Sequence, residues 1–139
     1  MTYELDSVTR VGVVGAGTVG SGIAQVAAAA GYDVVMRDIE DEYVERGFGT
    51  IDDSLGRLVD RGEFTADEAE ESQNRISGTT ELEAVSDCEV VVEAALEKMD
   101  VKRDIFADLD EIVPADAVLA TNTSTLSITT IAAATERPE

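Results

Sequence analysis

The chain has 139 residues, of which 30 are Asp or Glu and 10 are Lys or Arg, so its net charge is −20. This length suits one domain that buries most of its apolar surface, and no apolar run reaches the ~18 residues of a membrane span. The acidic balance disfavours duplex nucleic acid as a partner.

The N-terminal segment Met1–Asp6 is acidic and has neither the basic region nor the apolar stretch of a signal peptide. The single cysteine, Cys88, has no partner for an internal disulfide, and the chain contains no histidine, so we expect no metal site. We therefore expect a cytoplasmic protein in which Cys88 is a small buried apolar residue.

A glycine-rich turn follows the first predicted strand, Val8–Val14, and opens a predicted helix, Gly17–Ala30. Its glycines have the spacing G-x-G-x-x-G. Gly15 allows the tight turn, Gly17 lets the backbone approach a pyrophosphate, and Gly20 lets the helix pack closely on the strand. Backbone N–H groups and the positive end of the helix dipole then face the phosphates, which predicts dinucleotide binding.

Asp38 follows Gly15 by 23 residues and comes just after the second predicted strand, Asp33–Met36. A carboxylate at this distance takes the adenosine ribose hydroxyls and repels the extra 2′-phosphate of NADP. Arg37 would favour that phosphate, but neighbouring residues on a strand point to opposite faces. Asp38 and Arg37 should therefore not both face the ribose, and the sequence favours NAD.

The rest of the chain alternates helix-like and strand-like patterns. Apolar residues at spacings of four and three predict a long helix from Glu40 to Arg61. Capping boxes are predicted at Thr65–Glu68, where a short helix begins, and at Thr80–Glu83. This alternation predicts a Rossmann-type, doubly wound α/β fold, in which a mainly parallel sheet carries helices on both faces. The remaining predicted elements are strands Ile76–Thr79, Cys88–Ala94 and Ala117–Ala120 and helices Asp100–Ile112 and Ser127–Ala134.

Four polar segments are expected at the carboxyl ends of these strands, where doubly wound sheets bind ligands. They are the glycine turn, Asp38, residues 97–102 and residues 121–125. The only two lysines, Lys98 and Lys102, both lie in one of these segments, and this local positive charge suits a phosphate ligand.

The strong negative charge has two interpretations. An ordinary acidic protein fits, and so does adaptation to high internal salt, since eight of the 10 basic residues are Arg. In about 1 M salt the Debye length is about 3 Å, which screens the repulsion between so many carboxylates. The composition favours the halophilic interpretation, and salt should then assist the binding of phosphate ligands.

Five motifs stand in order between residues 8 and 138: Gly15-Ala-Gly-Thr-Val-Gly-Ser-Gly-Ile-Ala-Gln25, Arg37-Asp38, Ile76-Ser-Gly-Thr-Thr80, Glu93-Ala-Ala-Leu-Glu97 and Ala120-Thr-Asn-Thr-Ser-Thr-Leu-Ser-Ile128. Together they resemble the NAD-binding domain of L-3-hydroxyacyl-CoA dehydrogenases. The first motif is shared by many enzymes, whereas the Glu-Ala-x-x-Glu and Asn-Thr-Ser segments are far more specific. Members of the family oxidise the 3-hydroxyl of an acyl-CoA to a ketone and pass hydride to NAD.

The resemblance implies roles for individual residues. Ser124 matches the catalytic serine beside the nicotinamide and the substrate hydroxyl. Glu97 and Lys102 match positions that line the nicotinamide end, and Ser54 and Arg61 match helix positions that contact CoA. The residues that would hold the adenosine pyrophosphate are Gly15, Ala16, Gly17, Thr18, Val19, Gly20 and Asp38.

Each of these roles has a structural alternative. Ser124 could cap the last helix or satisfy a turn, and Arg61 could be the solvated end of its helix, which the dipole favours. Glu97 and Lys102 are five residues apart, a poor spacing for a helical ion pair, so a solvated surface is their alternative.

The chain departs from the family pattern at two points. Lys98 stands where the family often has Asn or Asp, and no histidine is present to act as general base. The family's His-Phe-x-x-Pro strand and helical dimerising domain would come after Glu139. We therefore expect residues 1–139 to be an NAD-binding domain that does not turn over alone. The full-length enzyme would be a homodimer acting on acyl-CoA in fatty-acid or hydroxybutyrate metabolism.

Two alternatives to this function stay open. One is a free-standing NAD-binding module without catalysis, working with a separate partner chain. The other is an NAD dehydrogenase of the same superfamily that acts on a sugar acid, because substrate choice lies mostly outside this segment.

Overall fold

The computed structural model describes residues 4–139, so the first half of the segment in which no signal peptide is expected, residues 1–3, lies outside the described residues. Within these described residues, five strands form a single parallel sheet. They are β1 (Arg10–Val14), β2 (Asp33–Arg37), β3 (Ile76–Thr79), β4 (Val90–Glu93) and β5 (Val118–Thr121).

In the described part of the chain, five α-helices connect and cover the strands, and two short 3₁₀ turns lie at Leu5–Ser7 and Leu82–Val85. None of the helices within residues 4–139 is long and apolar enough to cross a membrane. The helices are α1 (Thr18–Ala29), α2 (Asp41–Asp60), α3 (Ala66–Asn74), α4 (Met99–Ile112) and α5 (Ile128–Ala132).

The spatial order of the strands is β3-β2-β1-β4-β5, so the sheet grows in one direction from β1 and then in the other. In the register of the sheet, Val14 is paired with Arg37 on one side and with Glu93 on the other. This reversal leaves a crevice beyond the carboxyl ends of β1 and β4, which is where doubly wound sheets bind ligands.

Successive strand residues are buried on opposite faces of the sheet. Val13 and Met36 belong to a core that includes residues of α1 and α2, whereas Val14 and Val35 belong to a second core with residues of α4. Helices therefore cover both faces, and the predicted Rossmann-type, doubly wound α/β fold is confirmed.

Of the two predicted capping boxes, one forms. The Thr65 hydroxyl accepts from the N–H of Glu68, and the Glu68 carboxylate accepts from the N–H of Thr65. The box predicted at Thr80–Glu83 is wrong. The turn there is a short 3₁₀ helix that begins after Glu81, and the Glu81 N–H is already bonded to the Thr79 hydroxyl.

Cys88 is fully buried just before β4, as expected for a small apolar residue. Burial raises the pKa of its thiol to about 11, and the negative charge of Asp87 is the second cause of this shift. Since the thiolate is the nucleophile, we expect no reaction of the native protein with dithionitrobenzoate at about pH 8, and one reactive thiol per chain after unfolding. Rapid stoichiometric labelling of the native chain would contradict this burial.

Candidate functional site

The glycine turn joins β1 to α1 at the floor of the crevice. Gly15 has a φ of +122°, and a Cβ there would lie 2.5 Å from the carbonyl oxygen of Ala94. A Cβ at Gly20 would lie 1.8 Å from the carbonyl oxygen of Gly15. The first position requires glycine for its backbone conformation and the second for the close contact between helix and turn. Both predicted structural roles are confirmed.

Gly17 is the N-cap of α1, and a Cβ there would meet no atom within 4 Å. Gly17, Thr18 and Val19 are exposed. The first N–H groups of a helix have no partner inside the helix, so this end of α1 presents donors and the positive end of its dipole to solvent. Such an arrangement fits a diphosphate, which would occupy the space that a side chain at Gly17 would fill.

Asp38 directly follows β2 and faces the glycine turn. Its Oδ2 accepts from the N–H of Ala16 at 2.8 Å, and its Oδ1 accepts from the N–H of Ile39 at 2.7 Å. These two bonds fix the carboxylate at the crevice and leave it able to accept further hydrogen bonds, because a carboxylate has about four acceptor positions.

Arg37 also borders the crevice, so the expected separation of Arg37 from Asp38 is incomplete. The physical reason is that Asp38 lies beyond the end of β2 and no longer follows the alternation of the strand. The Nε of Arg37 donates to the carbonyl oxygen of Thr80 at 3.0 Å, which directs part of the guanidinium to the neighbouring loop.

A cleft of about 370 Å³ opens at this point, which is within the usual size of small-molecule sites. Most of its lining is apolar, and Asp38 is one of its few charged groups. Such a lining suits a planar ring beside a hydroxylated sugar. The apolar side chains come from the β2–α2 segment and from the region of α4, and they include Ile39, Tyr43, Leu96, Val101 and Ile105.

A buried ion pair links the end of β4 to α4. Glu93 and Lys102 are both 0% exposed, and Lys102 Nζ donates to Glu93 Oε2 at 2.6 Å. The same Oε2 accepts from the N–H of Ala95, and Glu93 Oε1 accepts from the hydroxyl of Thr121, each at 2.6 Å. One carboxylate therefore ties together β4, the loop after it, α4 and the end of β5.

No role was predicted for Glu93, although the sequence contains a signal for one. It is an acidic residue at the end of a continuous apolar strand, the run Val90–Val92. Acidic side chains are almost never fully buried unless they are paired. A carboxylate in that position is therefore expected to have a cationic partner, and this partner is Lys102 on α4.

The network continues from Lys102 to Glu97, which is 51% exposed. Lys102 Nζ lies 3.2 Å from Glu97 Oε1 and 3.3 Å from the carbonyl oxygen of Ala95. The expectation that Glu97 and Lys102 do not pair is wrong, because helical spacing does not apply to Glu97, which lies in the loop before α4. A solvated surface is also wrong for Lys102, which is fully buried.

Glu97 also holds the segment that contains Ser124. Its Oε2 accepts from the hydroxyl of Thr123 at 2.7 Å and from the hydroxyl of Thr125 at 3.1 Å. These bonds lower the pKa of Glu97. The hydrogen bond from Thr123 is the strongest cause, and Lys102 also contributes. The carboxylate therefore stays charged and keeps the two residues beside Ser124 in place.

Ser124 itself is exposed between these two threonines. The suggested capping role falls to Ser127 instead, whose hydroxyl accepts from the N–H of Thr130 at the start of α5. Ser124 is thus an exposed hydroxyl on an anchored loop at the carboxyl end of β5.

Residues 10–139 match the family model described as 3-hydroxyacyl-CoA dehydrogenase, NAD binding domain. The chain belongs to this family. The resemblance inferred from the five motifs is confirmed, and NAD is the cofactor of this domain.

Relatives of this NAD-binding domain are similar over nearly its whole length. A probable 3-hydroxybutyryl-CoA dehydrogenase of Deinococcus radiodurans is 46% identical over 129 residues, which are 93% of this chain and 46% of that protein. The crystal structure of FadB2 from M. tuberculosis is 44% identical with a TM-score of 0.93, and the match covers 96% of this chain and 47% of that one.

A third relative is the crystal structure of (S)-3-hydroxybutyryl-CoA dehydrogenase PaaH1 from Ralstonia eutropha. It is 42% identical with a TM-score of 0.92, over 95% of this chain and 47% of that one. The chain thus spans about half the length of the relatives it matches.

The two residues predicted to contact CoA lie on α2 of the NAD-binding domain. Ser54 is half-buried within the helix, and Arg61 is its exposed C-cap. Seven residues make about two helical turns, so the two side chains share one face of α2. Their contact with CoA stays a prediction.

Proposed function

We propose that this chain is the cofactor-binding part of a 3-hydroxyacyl-CoA dehydrogenase, which passes hydride from the 3-hydroxyl of an acyl-CoA to NAD. The observation that carries this proposal is the crevice between β1 and β4. The N-terminus of α1, the Asp38 carboxylate and the anchored loop with Ser124 all lie at that edge of the sheet. The names of the relatives, which include 3-hydroxybutyryl-CoA dehydrogenases, support the same activity.

In this proposal each part of the cofactor has its own residues. The diphosphate lies against the N–H groups at the start of α1, from Gly17 through Thr18 and Val19 to Gly20. Gly15 and Ala16 line the site and shape the turn, since their own N–H groups donate to the carbonyl oxygen of Arg37 and to Asp38 Oδ2. Asp38 accepts the adenosine ribose hydroxyls, and the adenine ring lies in the apolar part of the cleft. The nicotinamide end lies toward Glu97 and Ser124, where the charged Glu97 carboxylate complements the positive ring of NAD.

NAD supplies the hydride acceptor, and this chain supplies binding and orientation. Ser124 would donate to or accept from the substrate hydroxyl, while Ser54 and Arg61 would contact CoA from α2. No histidine occurs in the chain, so a general base for the hydroxyl proton would come from outside residues 1–139. We propose that these residues form the NAD-binding domain and bind cofactor without turning over alone.

The whole enzyme would be a homodimer, as the family resemblance implies, and it would act in the cytoplasm. The net charge of −20 would suit a cytoplasm rich in salt, since counterions screen the repulsion between surface carboxylates. Binding of the negatively charged NAD diphosphate and of CoA would then strengthen with salt.

An Asp38→Asn variant tests the ribose contact. We expect the wild-type chain to bind NADH about 100-fold more tightly than NADPH in molar potassium chloride, because the 2′-phosphate would meet the Asp38 carboxylate. The variant keeps the shape of the side chain but loses its charge, so the preference should fall below about tenfold. Nicotinamide fluorescence during titration with each cofactor measures both affinities.

The matched control is Asp33→Asn, which removes an exposed carboxylate from the other end of β2. That change should leave the preference for NADH unaltered. Equal affinity of the wild-type chain for NADH and NADPH would show that Asp38 does not contact the ribose.

A further inference from the structure

We propose that Glu93 is a positioning residue for the nicotinamide end of the site. It acts through Lys102 and Glu97 and so holds the loop 123–125, which carries Ser124, in the arrangement that receives the cofactor. The assignment depends on the proposed function, since it presumes that NAD binds in this crevice.

The first support is that Lys102 Nζ is buried among oxygen atoms of the protein itself. An ammonium group has three N–H donors, and three oxygen atoms lie within 3.3 Å of Lys102 Nζ. These atoms are Glu93 Oε2, Glu97 Oε1 and the carbonyl oxygen of Ala95. Because the side chain is also 0% exposed, Lys102 affects the cofactor through the groups it holds.

The second support is that the two carboxylates that face Lys102 differ in exposure. Glu93 is 0% exposed and Glu97 is 51% exposed, so Glu93 is the buried counter-charge. Removal of the Glu93 charge would leave the buried ammonium with Glu97 as its one acidic partner in the described network. Because an uncompensated buried charge is strongly destabilising, the ammonium would attract the Glu97 carboxylate more closely. Glu97 would then move inward, away from the hydroxyls of Thr123 and Thr125.

The third support is that, among the described residues, the side-chain hydrogen bonds of the network do not extend to the glycine turn or to Asp38, which would hold the ADP half of the cofactor. Its side-chain hydrogen bonds join β4, α4, the end of β5 and the loop 123–125. The glycine turn and Asp38 make their own contacts with each other. A change at Glu93 should therefore weaken binding of the nicotinamide half and spare the other half.

Glu93→Gln tests this separation with two ligands, NADH and ADP-ribose, which lacks the nicotinamide. Calorimetric titration in molar potassium chloride should show NADH binding about tenfold weaker than in the wild-type chain. The affinity for ADP-ribose should change by less than about twofold. The matched control is Glu89→Gln. Glu89 directly precedes β4, at the amino end of the strand and away from the crevice, and its carboxylate accepts from the N–H of Thr9. It should change neither affinity.

A second variant keeps the test decisive where Glu93→Gln does not fold. Glu93→Gln combined with Lys102→Met removes both charges, so no buried charge lacks its partner. The folded double variant should also lose NADH affinity selectively, because Glu97 then has no ammonium to hold it beside the loop 123–125. Equal losses for both ligands, or no loss for NADH, would overturn the positioning role while leaving NAD binding intact. A wild-type chain that binds neither ligand would overturn the proposed function as well.

Discussion

Replacing Gly20 with alanine is expected to weaken NADH binding by at least about 100-fold, which corresponds to about 3 kcal/mol. The new Cβ would lie 1.8 Å from the carbonyl oxygen of Gly15, so the turn and α1 must move apart. The N–H groups that would hold the diphosphate then point elsewhere, and each hydrogen bond to a charged group contributes about 1.5–3 kcal/mol. We also expect the free energy of unfolding to fall by about 3 kcal/mol.

NADH titration and urea unfolding of the same samples measure both effects. Gly22→Ala is the matched control, because it adds the same methyl group two residues further along α1, where a Cβ meets no atom within 4 Å. This control should raise stability by up to about 1 kcal/mol through helix propensity alone and should leave NADH affinity unchanged. A Gly20→Ala chain with wild-type affinity would contradict the proposed place of the diphosphate.

Replacing Lys102 with methionine is expected to lower the free energy of unfolding by about 3–5 kcal/mol, because it leaves the buried Glu93 carboxylate without its counter-charge. Glu93 keeps its hydrogen bonds from Ala95 and Thr121, but these donors carry no charge. Glu97 also loses the ammonium that lies 3.2 Å away. Urea unfolding in molar potassium chloride measures the loss.

The chain provides its own control for this change in its other lysine. Lys98 is exposed at the start of α4, so Lys98→Met should alter stability by no more than about 0.5 kcal/mol. The double variant with Glu93→Gln should recover much of the loss caused by Lys102→Met, because the two sites are coupled. A loss below about 1 kcal/mol for Lys102→Met would show that the buried pair is not a structural requirement.

The parts of the fold that depend on local patterns were predictable. The turn between β1 and α1 depends on contacts between residues five positions apart, Gly15 and Gly20, and the glycine spacing records those contacts directly. The Thr65 capping box likewise spans three residues. The order of alternating elements then leads to a doubly wound sheet, since parallel strands need crossover helices.

The network around Glu93 could not be derived in the same way. Glu97 and Lys102 are five residues apart, whereas side chains that pair on a helix are three or four residues apart. They nevertheless form an ion pair, because Glu97 lies in the loop before α4. Thr121, Thr123 and Thr125 reach the same network from β5 and the loop after it, at distances along the chain that no local pattern records. Such contacts depend on which strands become neighbours.

The most direct test of the proposed NAD site is titration of the wild-type chain with NADH in molar potassium chloride, with nicotinamide fluorescence as the signal. If the N-terminus of α1 and Asp38 hold the cofactor, the signal should saturate, and ADP-ribose should compete for the same site. No saturable signal from a chain that unfolds cooperatively, and is therefore well folded, would contradict the assignment of the crevice as an NAD site.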